Sequence, residues 1–83
     1  MSFGDVVGSV CVSRAGHDKG SYYVISGIAE NGDVLLVNGE NRLLETPKHK
    51  NITHIVVTKN RTAATSDLAI KKALKSFKGG EKV

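Results

Sequence analysis

Ser13-Arg14-Ala15-Gly16-His17-Asp18-Lys19-Gly20 is a polar stretch with two glycines between two runs rich in valine, isoleucine and tyrosine. Val6-Val7-Gly8-Ser9-Val10-Cys11-Val12 precedes it, and Ser21-Tyr22-Tyr23-Val24-Ile25-Ser26-Gly27-Ile28 follows. The pattern reads as strand, glycine-bearing loop, strand. Arg14 and Lys19 supply hydrogen-bond donors, and Asp18 favours a turn. Gly16 and Gly20 can adopt positive φ where a side chain would be strained.

Working outward, the first strand is expected over residues 8–13, with Val10 and Val12 on one face and Cys11 on the other. The second, residues 21–28, is apolar on both faces, as in a strand covered on both sides. Tyr22 beside the loop suits either the rim of a core or a stacking ring. Asn31-Gly32 predicts a type I′ hairpin turn into a third strand, Val34-Leu35-Leu36-Val37. A second turn at Asn38-Gly39 leads to a short fourth strand, Arg42-Leu43-Leu44-Glu45, ended by Thr46-Pro47. Lys48-His49-Lys50-Asn51 reads as a basic loop. Ile52 to Lys59 forms a fifth strand rich in β-branched residues, with His54 and Val56 on one face and Ile55 and Val57 on the other.

Asn60 to Thr65 reads as a linker, and a helix is predicted over residues 67–78. Ser66 or Thr65 is its N-cap, and Asp67 complements the positive end of its dipole. Ile70, Ala73, Leu74 and Phe77 form one apolar stripe. Lys71, Lys72, Lys75 and Lys78 lie on the other side, with Leu68 among them. Gly79-Gly80 is expected to end the helix, and the last residues to fray. The whole is mainly β: a small five-stranded antiparallel barrel over residues 1–60, with residues 61–83 forming a linker and a C-terminal amphipathic α-helix on or beside it. Closure is preferred to an open sheet because it removes the edges of apolar strands.

Eighty-three residues make one domain with one modest core. A single cysteine, Cys11, excludes an internal disulfide and suits a buried position. Met1-Ser2-Phe3-Gly4-Asp5 lacks the basic residues and long apolar run of a secretory leader, and no stretch is apolar enough for a membrane span, so a cytoplasmic location is expected. Charge is unevenly spread. Residues 1–40 carry two basic and five acidic side chains, net −3, whereas residues 41–83 carry ten and three, net +7. Such asymmetry suits a polyanionic partner for the basic half.

Residues 8–25, from Gly8 through Asp18-Lys19-Gly20 to Ile25, resemble a KOW motif, the strand–loop–strand unit of ribosomal proteins and NusG-type transcription factors. Val37-Asn38-Gly39-Glu40-Asn41-Arg42-Leu43, Thr46-Pro47-Lys48-His49-Lys50-Asn51 and His54 extend the likeness. Residues 4–59 together are similar to e-type large-subunit ribosomal proteins fourteen, six and twenty-seven, and more closely to short bacterial KOW-domain proteins. The resemblance implies an SH3-like barrel that binds RNA, usually ribosomal RNA. It places contacts on Arg14, Gly16, His17, Lys19 and Gly20 of the loop, on Arg42, and on Lys48, His49, Lys50 and Asn51; Lys59 and Arg61 complete the candidate set. His17 is a departure, since many relatives carry another basic or polar residue there.

The chemistry suits that reading. Lysine and arginine meet phosphates and release counterions, and arginine adds bidentate bonds and stacking. Two tyrosines, two phenylalanines and no tryptophan make a broad stacking platform implausible, so a folded RNA read by shape and phosphate fits better than a single strand. His17, His49, His54 and Cys11 show no zinc spacing, and no catalytic spacing appears, so neither metal, cofactor nor enzymatic activity is expected. The expected partners are RNA and, secondarily, ribosomal proteins, for a chain monomeric when free. The competing reading is a protein-interaction adaptor in transcription or translation, which an undocked helix offering Ile70, Leu74 and Phe77 would favour.

Overall fold

The computed structural model describes residues 6–63 and 65–81, the last four by backbone alone. Met1–Asp5, Ala64, Lys82–Val83 and the side chain of Lys78 lie outside the described residues. Five strands, β1 (Ser9–Ser13), β2 (Tyr22–Ile28), β3 (Val34–Val37), β4 (Lys48–Lys50) and β5 (Ile55–Arg61), precede one helix, α1 (Asp67–Glu81). The strands form a single antiparallel sheet in the order β4-β3-β2-β1-β5.

Strand alternation sends apolar side chains to both faces of the sheet, and each face acquires its own core. On one side Cys11, Tyr23, Ile25, Val34, Leu36 and Ile55 pack together. Ile55 of β5 belongs to the same cluster as Val34 and Leu36 of β3, as a sheet curled over its own inner face requires, and Val6, Ile28, Ile52 and Val57 pack against this cluster. Two irregularities assist the curl, because a bulge bends its strand and increases its twist. One is at Ser26, between the Ile25↔Leu36 and Gly27↔Leu35 pairs. The other lies between Ser9 and Cys11 against β5, where Thr58 Oγ1 donates to the Val10 carbonyl at 2.7 Å. The result is a small curled sheet of the SH3-like barrel type. Its backbone ladder remains open, with β4 and β5 as edges among the described residues, in place of the expected full closure.

On the other face Val10, Val24 and Val37 receive Ile70 and Leu74 of α1, with Tyr22 and Phe77 at the margin. Ile70 and Leu74 retain 1% and 4% exposure, so the predicted stripe is the docking surface; burying each such side chain stabilises by about 1.5–3 kcal/mol. Ser66 caps the helix, its Oγ accepting from the Ala69 amide at 3.2 Å. The carboxylate of Asp67 accepts from the Leu44 amide at 2.8 Å, tying the helix start to the preceding turn. Gly39, at φ +76°, lets that turn lie directly against the first turn of the helix, where a β-carbon would overlap the Asp67 carbonyl and crowd the Lys71 amide.

Several expected boundaries are corrected. Arg42–Glu45 is not a strand: Asn38 Oδ1 accepts from the amides of Glu40 and Arg42, closing a tight turn, and the Thr46 amide returns to the Leu43 carbonyl. The fourth strand is Lys48–Lys50, the segment expected to be a basic loop. Residues 52–54 form a 3₁₀ turn capped by Asn51, and the fifth strand starts at Ile55 and runs through Arg61 into the expected linker. The Asn31-Gly32 hairpin forms, but only Gly32 has positive φ. The Gly32 amide bonds to the Ala29 carbonyl and the Ala29 amide to that of Asp33, giving a three-residue loop rather than a type I′ turn. The helix continues through Gly79 and Gly80 to Glu81.

Candidate nucleic-acid interface

The loop between β1 and β2 folds back on itself. Gly16 and Gly20 both have positive φ, as the sequence predicts. The Gly20 amide donates to the Ser13 carbonyl and the Ser21 amide to that of Asp18, both at 2.8 Å. Arg14, Gly16, His17, Lys19 and Gly20 are exposed, while Asp18 turns inward.

Asp18 is the anchor. Its Oδ1 accepts from Lys50 Nζ and Ser13 Oγ, each at 2.8 Å. Its Oδ2 accepts from Lys48 Nζ at 2.7 Å and from the Tyr23 hydroxyl at 3.0 Å. Lys50 also donates to the Ala15 carbonyl at 3.0 Å. Strand periodicity builds this cluster: Leu36 pairs with Lys48 and Val34 with Lys50, so both lysines stand on the inner face, beyond the apolar core, and His49 points away. The side chains of Asp18 and Lys50 retain only 13% and 10% exposure. Burial disfavours the Asp18 charge, but the hydrogen bonds from Lys48, Lys50, Ser13 and Tyr23 prevail and hold its pKa well below the usual carboxylate range. Burial, together with the adjacent carboxylate, raises the pKa of Tyr23. Two ammonium groups against one carboxylate leave a local charge of +1 beneath the loop.

The candidate contacts therefore divide. Arg14, His17 and Lys19 are displayed on the loop. Lys48 and Lys50 lie beneath it and hold its shape. Arg42 is half-buried at the same end, its charge acting on Tyr23. Asn51 is exposed, but its Oδ1 caps the 3₁₀ turn through the Thr53 amide and hydroxyl. His49 is exposed on the outer side of β4. Lys59 and Arg61 stand apart: Arg61 pairs with Ser9, at the end of β1 remote from the loop, and donates to the Val7 carbonyl at 2.8 Å.

The fold joins His17 of the candidate set and Tyr22, the candidate stacking ring, to residues that the sequence reading left out of the site. A cleft of about 560 Å³ opens between the loop, the turn after β3 and the helix, with Glu40, Asn41, Lys71 and Lys75 beside His17 and Tyr22 among its walls. Tyr22 packs on Phe77 with ring centroids 5.2 Å apart at 55°. The helical spacing of Lys71 and Lys75 puts both on one face, but only the docking of α1 shows that this face adjoins the loop.

Among the described residues no three His, Cys, Asp or Glu side chains converge to hold a metal ion. The Cys11 thiol is buried, which pushes its pKa up to about 12, away from nucleophilic or ligating use. No helix among the described residues is long and apolar enough to cross a membrane. No family model matches the chain, and no curated protein matches it.

Proposed function

We propose that this protein is a non-catalytic RNA-binding protein of the KOW type, which binds structured RNA, ribosomal RNA above all, and associates with the ribosome or translation machinery in the cytoplasm. The observation that carries the reading is the loop from Arg14 to Gly20. It projects its cations outward while Asp18, Lys48 and Lys50 fix its base. A positioned loop on a rigid sheet is the usual division between scaffold and recognition surface. Phosphate attraction needs displayed cations, and Arg14 and Lys19 are displayed. The helix lysines add charge at the same end. The adaptor reading lacks the support that an undocked helix would give it, because Ile70 and Leu74 are buried against the sheet.

The test is an Arg14→Ala/Lys19→Ala variant assayed against a structured ribosomal RNA fragment over a range of salt. Both residues are exposed, so the fold is retained. Losing two phosphate contacts lowers the slope of log K against log salt by about 1.4–1.8. An unchanged slope and affinity would remove the loop from the interface. Recovery with a protein partner after nuclease treatment, without RNA crosslinks in cells, would favour the adaptor instead.

A further inference from the structure

We propose that the cleft between the loop and α1 receives a single unstacked nucleotide, its phosphate held between Lys71 and Lys75. This rests on the RNA-binding reading and names a part of the surface which that reading leaves open. The volume, about 560 Å³, lies within the range of small-molecule sites. Its walls match the parts of a nucleotide. Lys71 and Lys75, one helical turn apart, are exposed cations of its lining, and His17 of the loop lines it as well. Lys71 lies 3.8 Å from Glu40, with side chains 52% and 63% exposed, a loose ion pair that a phosphate can displace. Glu40 is then an acceptor for ribose hydroxyls, and Asn41 offers an amide to a base edge. The Tyr22 ring, braced by Phe77, supplies an aromatic wall for the base.

The charge balance supports an anion. The lining carboxylates are Asp18 and Glu40, and Asp18 is more than offset by Lys48 and Lys50. The cleft is also preformed. The Gly39 contact and the Asp67–Leu44 hydrogen bond fix the turn bearing Glu40 and Asn41 against the helix bearing the lysines. A preformed site avoids the ordering cost that a mobile one would incur.

The experiment is a titration of the isotope-labelled full chain with AMP, adenosine and inorganic phosphate, followed by amide chemical shifts, with Lys71→Gln/Lys75→Gln as the variant. Millimolar AMP is expected to move the signals of Tyr22, Asn41, Lys71 and Lys75, inorganic phosphate only those of the two lysines, and the variant should respond to neither. Against a structured RNA at 0.1 M salt, loss of one phosphate contact weakens the variant about fivefold. Unmoved cleft signals at millimolar AMP would overturn the proposal. So would AMP binding combined with unchanged RNA affinity in the variant, which would assign the cleft to free nucleotides. Failure of wild type to bind any RNA, with AMP still bound in the cleft, would instead sink the RNA reading and leave the nucleotide site.

Discussion

Replacing Asp18 with Asn keeps the size of the side chain and removes its charge, leaving Lys48 and Lys50 beneath the loop without a counter-ion. Four donors converge on the carboxylate at 2.7–3.0 Å. A hydrogen bond to a charged group contributes about 1.5–3 kcal/mol, and breaking a fully buried pair costs about 3–5 kcal/mol. The substituted amide would retain one acceptor oxygen, and Lys48, at 27% exposure, can turn to water. The expected loss at pH 7 is therefore about 2–3 kcal/mol. A domain of this size has on the order of 4–12 kcal/mol in all, so the melting temperature should fall by about 10–20 °C. The pH dependence gives a second reading. Because the folded pKa of Asp18 is depressed, its contribution is complete above the unfolded value of about 3.9 and is lost as pH falls through the folded one. Urea titrations of both proteins from pH 8 to pH 2 should show a constant gap down to about pH 4–5 and a shrinking one below. A gap under about 0.5 kcal/mol at pH 7, or one that persists undiminished at pH 2, would refute the anchoring role.

Three further outcomes follow from the packing. Gly39→Ala combines positive-φ strain with overlap against the Asp67 carbonyl, and should cost about 2–4 kcal/mol in urea denaturation; wild-type stability would mean that the turn and helix do not meet as described. Ile70→Ala empties the centre of the helix contact and should cost about 2–5 kcal/mol, whereas Leu68→Ala, at 63% exposure, should stay within about 0.5 kcal/mol. Cys11, its thiol pushed up to about 12, should resist iodoacetamide at pH 8 until the chain is unfolded; rapid native labelling would contradict its burial.

Much of the fold was legible because it rests on local periodicity. The alternation of β1 to β3, the stripe of α1, the Ser66 cap and the positive φ of Gly16 and Gly20 all follow from short-range patterns. The misplaced strand and loop assignments fall between Asn38 and His54. There Leu43-Leu44 imitates a strand, although Asn38 closes a turn before one can form. Lys48-His49-Lys50 imitates a loop because its inward-facing residues are lysines rather than hydrophobes. The signal was present as a two-residue alternation after Pro47, but its meaning depends on an aspartate some 30 residues earlier. The candidate site was legible to the same extent: the loop, yes; the helix wall of the cleft, no, because a lysine-bearing face reveals its charge and not its neighbour.

The Asp18 cluster also bears on how the molecule opens. β4 is an edge strand of only three residues, paired on one side among the described residues, and such a strand would ordinarily fray independently of the rest. Here two of its three side chains are fastened to the tip of the first hairpin, across 30 and 32 positions of sequence. Detaching β4 must release the loop, and distorting the loop must loosen β4. The two segments form one cooperative unit, so their amides should share a single opening free energy in hydrogen exchange, although β4 is laddered to β3 and not to the loop.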